Sequence, residues 1–281
     1  MNHATFNFST QDGLSLLGRI WKTPQQQPKG TVNLVHGIGE HSGRYAHIAE
    51  ALGEAGYHLA SFDLRGHGLS EGKQGHTPSF DHLLDDVQLF LESTRERLSP
   101  NLPNFLYGHS LGANIVINYC LRRPTELTGV IATAPSFALA FEPPAIKLLL
   151  GKIMAAIMPS FTMNNALELD DLARDKAVVK AYKDDPFVHD RLSARLAMDI
   201  LESGRYALEH AQEWRLPLLL MHGTADGIGS HQASRDFSQK ANSQVELILW
   251  DGYYHEIHND IGKEKVIEKL LVWLDEKAPL K

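Results

Sequence analysis

Short runs of apolar residues, each ending in a glycine-bearing or polar turn, alternate along most of the chain with longer stretches in which apolar residues recur at helical spacing. Phe6 to Thr10 and Leu16 to Lys22 read as two strands, and Gln11-Asp12-Gly13 between them is a hairpin signal. Thr31 to Val35, Tyr57 to Leu64, the run at Phe105 to Tyr107, Gly129 to Thr133, Leu216 to Met221 and Val245 to Trp250 read as further strands. Between them, Tyr45 to Gly53 carries a helical pattern, and Phe80 to Leu98 predicts a long amphipathic helix with Leu83, Leu84, Val87, Phe90 and Leu91 inward. A further helix is expected from Ser110 to Leu121, and Val266 to Leu274 closes the chain as a helix. Strands alternating with helices predict a mostly parallel sheet covered on both faces.

The alternation stops between Pro135 and Leu216, where no strand pattern is evident. This stretch contains "FALAFEPPAIKLLLGKIMAAIMPSF", which Glu142, Lys147, Lys152 and two prolines interrupt before it reaches the roughly 18 apolar residues of a membrane span. Two readings stand. Either these are buried core helices, or they form an inserted helical cap whose apolar side lines an acyl pocket or touches a lipid surface. The second divides the chain into a core, residues 1–135 and 214–281, and a cap, residues 136–213.

Candidate chemistry begins at "LYGHSLGANIV". Gly108-His109-Ser110-Leu111-Gly112 fits the G-x-S-x-G pattern, which sets a serine on a sharp turn between a strand and a helix. Gly68-Leu69-Ser70-Glu71-Gly72 fits it equally well, so context decides. Ser110 has an apolar strand before it and a helical repeat after it, whereas Ser70 lies in "RGHGLSEGKQGHTP", too rich in glycine for a regular element on either side. Ser110 is therefore the expected nucleophile and Ser70 a loop residue.

A nucleophilic serine needs a base and an acid to orient it. The strand "LPLLLMHG" ends at Thr224-Ala225-Asp226, and "VELILWDG" ends at Tyr253-Tyr254-His255, so both groups fall at the sheet edge that carries Ser110. Asp226 is favoured over Asp199 and Asp251; His255 is favoured over its rival His258. The strand ending at Val35 runs into His36-Gly37-Ile38-Gly39, and the N–H groups of Ile38 and Leu111 are the expected oxyanion donors. His255 and His258 are spaced i, i+3 without a third ligand, so neither a metal nor another cofactor is expected.

Composition narrows the partners. The 281 residues carry a formal charge of −7, which gives no electrostatic reason to expect nucleic acid. One cysteine precludes a disulfide framework, and "MNHATFNFST" lacks the pattern of a signal peptide, so a cytoplasmic address is expected. Cys120 reads as a small core residue.

The segments "HGIGEHSGRY", "GHSLG", "HGTAD" and "YHEIH", with "FDLRGHGLSEG" and, inside the expected cap, "LARDKAVVKAYKDDP", resemble the monoacylglycerol lipase family of serine hydrolases. The resemblance implies an α/β-hydrolase fold, a Ser110–Asp226–His255 triad and oxyanion donors at Ile38 and Leu111. It also implies that Glu40, Arg44, Tyr182 and His258 lie near the glycerol end of a small acyl-ester substrate. Ala113 departs from the family, where a further glycine is frequent; the helix has begun there and little should follow. The expected reaction is ester hydrolysis through an acyl-enzyme. The alternatives are a lysophospholipase or short- to medium-chain carboxylesterase, which would share every catalytic residue, and a ligand-binding relative without turnover.

Overall fold

A computed structural model describes residues 3–241 and 244–278. Its central strands are β1 (Ala4–Ser9), β2 (Ser15–Trp21), β3 (Gly30–Val35), β4 (Tyr57–Phe62), β5 (Asn104–His109), β6 (Gly129–Thr133), β9 (Leu218–Gly223) and β10 (Val245–Trp250). They form one eight-stranded sheet in the order β1-β2-β4-β3-β5-β6-β9-β10. The hairpin β1–β2 is antiparallel and joins β4 antiparallel, while β4, β3, β5, β6, β9 and β10 run parallel. β3, β4, β5, β6 and β9 read as nearly continuous apolar runs because both faces are covered.

The two faces carry separate cores. Helix α1 (Ala46–Ala55) and the last helix, α8 (Lys263–Lys277), cover one face, where Ile48, Leu52, Val266, Leu270 and Trp273 pack on Val32, Leu34 and Phe105. Helices α2 (Phe80–Arg97), α3 (Leu111–Arg122), α6 (Ala194–Glu209) and α7 (His231–Lys240) cover the other. The inward residues expected for the long amphipathic helix, Leu83, Leu84, Val87, Phe90 and Leu91, are all buried there. With its mostly parallel sheet and helices on both faces, the chain has the α/β-hydrolase fold.

The stretch between β6 and β9 holds α4 (Ala145–Ile157), α5 (Lys176–Asp184), α6 and two short strands, β7 (Thr162–Asn164) and β8 (Arg191–Ser193), paired antiparallel. The absence of strands expected for this stretch is thus corrected: three-residue strands are too short to show a period in the sequence. Its parts are bound very differently. α6 lies on α3, where Asn114 Nδ2 donates to Ser203 Oγ at 2.9 Å and to the Ile200 carbonyl at 3.2 Å, and Asn118 Nδ2 donates to the Ser203 carbonyl at 3.1 Å. α4, by contrast, buries none of its residues. Ile146, Leu149, Leu150, Ile153 and Ile157 are between 44% and 72% exposed. Its main contact with the rest is with α6, where Gly151 faces the Met198 sulfur. Among the described residues no helix is long and apolar enough to cross a membrane.

Candidate active site

The sheet order reverses beside β3: the chain passes from β3 to β4 on one side and then returns to β5 on the other. Open α/β sheets hold their ligands in the crevice this creates beyond the strand ends. The loop after β3 and the turn after β5 form its two walls. Ser110 sits on that turn with φ 54° and ψ −116°, a region an L-residue rarely enters. The turn is tight enough that a Cβ at Gly112 would lie 2.0 Å from the Val35 carbonyl oxygen, and one at Gly108 would lie 2.4 Å from the Gly112 carbonyl oxygen. Both glycines of the motif are therefore demanded by backbone approach. Ser70 instead stitches a loop to β2, since its Oγ donates to the Asp63 carbonyl at 2.5 Å and accepts from the Leu17 N–H at 2.9 Å.

Ser110 Oγ lies 2.8 Å from His255 Nε2, and His255 Nδ1 lies 2.7 Å from Asp226 Oδ2. The other oxygen of Asp226 accepts the N–H groups of Ile228 and Gly229 at 2.8 and 2.9 Å, so the carboxylate is fixed from its own loop. Burial alone would raise the pKa of Asp226, but His255 and His222 beside it hold it far below the usual carboxylate range. Burial would likewise lower His255, and the Asp226 charge overrides it, so the imidazole pKa stands above its ordinary 6.5. Asp199 pairs instead with Arg195 on α6 and Asp251 accepts from Thr224, both away from the serine.

Ser110, His255, Gly37 and Ile38 line one end of a cavity of about 260 Å³. Leu111, the first residue of α3, follows the serine directly. The loop after β3 is held by Glu40, whose Oε1 accepts from the Gly37 N–H at 2.7 Å and the Tyr45 hydroxyl at 2.8 Å. Arg44 Nη1 meets Glu40 Oε2 at 2.6 Å and, with Nη2, grips both oxygens of Glu256 at 2.7 and 2.8 Å. One guanidinium thus ties the loop after β3 to the residue next to His255. Burial would raise the pKa of Glu40; Arg44 outweighs it and holds the carboxyl at about 2.

Four residues were expected near the glycerol end of a substrate, and the structure separates them. Glu40 and Tyr182 line the cavity. Arg44 and His258 do not, which corrects the expectation of direct contact for both. Arg44 is occupied by its two carboxylates and lies 4.6 Å over the Tyr182 ring. His258 is buried between Tyr45, His47 and His109, and its two ring nitrogens have no partner among the described residues. Instead the polar side chains lining the cavity include Asn165, Glu168 and Asp171 from the insertion. No motif marks those three in the sequence. The apolar wall comes from Leu139, Phe141, Leu167, Leu172, Ile200, Leu201 and Ile228, and no residue of α4 contributes to it. Of the apolar segment from 137 to 161, Leu139 and Phe141 line the cavity, whereas the helix that follows turns its apolar residues outward. Among the described residues, no three His, Cys, Asp or Glu side chains are grouped as metal ligands.

The family described as serine aminopeptidase S33 matches residues 26–262. Among curated relatives, a monoacylglycerol lipase of Mycolicibacterium smegmatis is 32% identical over 95% of this chain and 95% of its own length. An uncharacterised abhydrolase domain-containing protein of Dictyostelium discoideum is 37% identical, and the chain, matched over 99% of its length, spans 29% of that longer protein. The crystal structure of a Paleococcus ferrophilus monoacylglycerol lipase superposes with a TM-score of 0.85 at 35% identity, covering 93% of this chain and 99% of the other. A soluble variant of the Saccharomyces cerevisiae monoglyceride lipase, in complex with a substrate analogue, superposes with a TM-score of 0.88 at 25% identity, covering 99% and 96%. Matched to that family over most of its length and to these relatives in sequence and fold, the chain is a serine hydrolase that belongs to the monoacylglycerol lipase family of the α/β-hydrolase fold.

Proposed function

We propose that the chain hydrolyses monoacylglycerols to fatty acid and glycerol through an acyl-enzyme on Ser110. The observation that carries this is the hydrogen-bonded line Ser110–His255–Asp226, at 2.8 and 2.7 Å, opening into a mainly apolar cavity that polar side chains also line. Ser110 Oγ attacks the ester carbonyl as His255 Nε2 takes its proton, and Asp226 stabilises the imidazolium. The N–H groups of Ile38 and Leu111, the latter at the positive end of α3, stabilise the oxyanion. His255 then protonates the leaving glycerol, and water repeats the sequence to free the acid.

The acyl chain lies along Leu139, Leu172, Ile200 and Leu201, where each buried methylene contributes about 0.8 kcal/mol. Tyr182, Asn165, Glu168 and Asp171 take the free glycerol hydroxyls. A relative from Bacillus subtilis, 27% identical, is named a phospholipase, which makes lysophospholipids the second substrate class to weigh. Neither lysine nor arginine is among the described residues lining the cavity, while four carboxylates are, and this disfavours a phosphate headgroup.

We further propose that residues 136–213 act as a cap, with α6 as its fixed floor and the exposed face of α4 as the part that meets a lipid surface transiently. A cytoplasmic setting is supported by the single cysteine.

The test is a panel of mono-, di- and triacylglycerols, lysophosphatidic acid and p-nitrophenyl esters, run with Ser110→Ala and Ser70→Ala. Monoacylglycerols should have the highest kcat/KM, Ser110→Ala should lose roughly a million-fold, and Ser70→Ala should keep most activity. Preference for lysophosphatidic acid or triacylglycerols refutes the substrate assignment. Activity surviving in Ser110→Ala refutes the site.

A further inference from the structure

Asp226 serves two histidines with one oxygen. Its Oδ2 lies 2.7 Å from His255 Nδ1 and 2.9 Å from Nε2 of His222, which stands on β9 four residues before it. His222 is fully buried, and its other nitrogen, Nδ1, lies 2.8 Å from Ser234 Oγ on α7, itself fully buried. A hydroxyl can donate to Nδ1 only if the ring proton is on Nε2, which is the proton that Asp226 Oδ2 requires. The ionised carboxylate can only accept, so Asp226 sets the proton of His222 on Nε2, the Ser234 hydroxyl donates to the remaining Nδ1, and His222 arrives at the carboxylate as a neutral donor.

We propose that His222, pinned by Ser234, is a positioning residue of the triad: it holds Asp226 Oδ2 in place and shares that oxygen with His255. The inference rests on the Ser110–His255–Asp226 hydrolysis proposed above and adds to it a chain of contacts reaching from the nucleophile to α7.

The shared oxygen has a chemical consequence. A second neutral donor disperses the carboxylate charge that His255 feels, so it lowers the basicity of His255 relative to a site in which Asp226 served His255 alone. Burial keeps His222 itself neutral, its pKa lying below 6.5. The other titratable groups near this line are His231 on α7, 6.4 Å from the His222 ring, His109 on β5, 5.0 Å from the His255 ring, the buried His258 against His109, and Glu40 and Glu256 by their charge on His255. None of these five donates a hydrogen bond to Asp226.

Two amides separate this role from mere packing. His222→Gln places an N–H near the position of Nε2, whereas His222→Asn, one methylene shorter, does not reach Oδ2. Each variant is assayed as kcat and KM against pH on a monomeric p-nitrophenyl ester, with fluorophosphonate labelling of Ser110 and circular dichroism as controls. His222→Asn should lose about tenfold in kcat with little change in KM, and its acid limb should move up by about half to one pH unit. His222→Gln should restore both to near wild type. Ser234→Ala, which leaves β9 intact, should shift the limb the same way by less, and it carries the test if His222→Asn does not fold. An acid limb that stays in place or moves down in a folded His222→Asn, or equal behaviour of the Asn and Gln variants, overturns the proposal. In contrast, a wild-type protein that neither cleaves the ester nor takes the probe overturns the hydrolase reading on which it rests.

Discussion

Replacing Ser110 by glycine should leave the protein more stable than replacing it by alanine, although both abolish catalysis. Both variants lose the hydroxyl and its contacts with His255 and Ser136, so their difference isolates the backbone. At φ 54° and ψ −116° the serine lies in the mirror image of the ordinary extended region, where glycine is at ease and any Cβ is strained. Such strain costs about 1–3 kcal/mol. Against it, glycine loses about 0.4–1 kcal/mol more chain entropy on folding than alanine. The difference should favour glycine by about 1 kcal/mol, with an upper end near 2.5 kcal/mol. For a domain of this size that is a rise in Tm of about 2–4 °C per kcal/mol. Reversible urea unfolding of the two variants side by side gives the same difference from the midpoints at a common slope. If Ser110→Ala proves equal to or more stable than Ser110→Gly, the strain is not stored at this residue and the account of the turn is wrong.

Three further outcomes are expected. Because catalysis needs neutral His255 and its pKa stands above 6.5, kcat/KM should fall as pH drops through a value above 6.5, and Asp226→Asn should move that limb down while reducing kcat by about 10⁴-fold; an acid limb at or below 6.5 in the wild type contradicts the assignment. His109 is buried and neutral with its pKa pushed down to about 4 by burial and by His255, so the native state binds its proton less readily than the unfolded chain. Stability should therefore be lost as pH falls from 6.5 toward 4, by about 2 kcal/mol at pH 5 from this group, and His109→Phe should flatten that loss in urea titrations at pH 7 and 5. Leu150→Asp with Ile157→Asp on the outer face of α4 should slow hydrolysis of micellar monoacylglycerol several-fold yet leave a monomeric ester unaffected; equal slowing of both would place α4 in the chemistry instead of at a surface.

How much of this was legible in the sequence varied with the kind of interaction. The sheet was readable because β3, β5, β6 and β9 are buried on both faces and so appear as uninterrupted apolar runs. The proposed triad residues were readable because Ser110 and Asp226 follow two such runs, β5 and β9, and His255 follows β10, which is half-buried but still mostly apolar. Helix α7 leaves no period in the sequence: in HQASRDFSQK only Ala233 and Phe237 are buried apolar residues. The outward face of α4 was also hidden, since periodicity tells which residues are apolar but not whether they turn to a core or to solvent. His222 gave no signal of its own among fifteen histidines, because what distinguishes it is distance to Asp226 through a turn. The engagement of Arg44 by Glu256, 212 residues away, is of the same kind.

The strand order has a temporal meaning as well. The nucleophile and the base stand 145 residues apart, and His255 is presented by the loop that follows β10, the strand at the outer edge of the sheet and the last to leave the ribosome. A nascent chain that has assembled β3 to β9 already owns the sharp turn with Ser110 and the carboxylate of Asp226, but nothing yet to take the serine's proton. Only when β10 adds in parallel to β9 does the imidazole swing into reach. The proposed hydrolysis therefore cannot precede the pairing of β10 with β9, and a ribosome-stalled or prematurely terminated product ending before residue 255 lacks the proposed base however much of its core it has built.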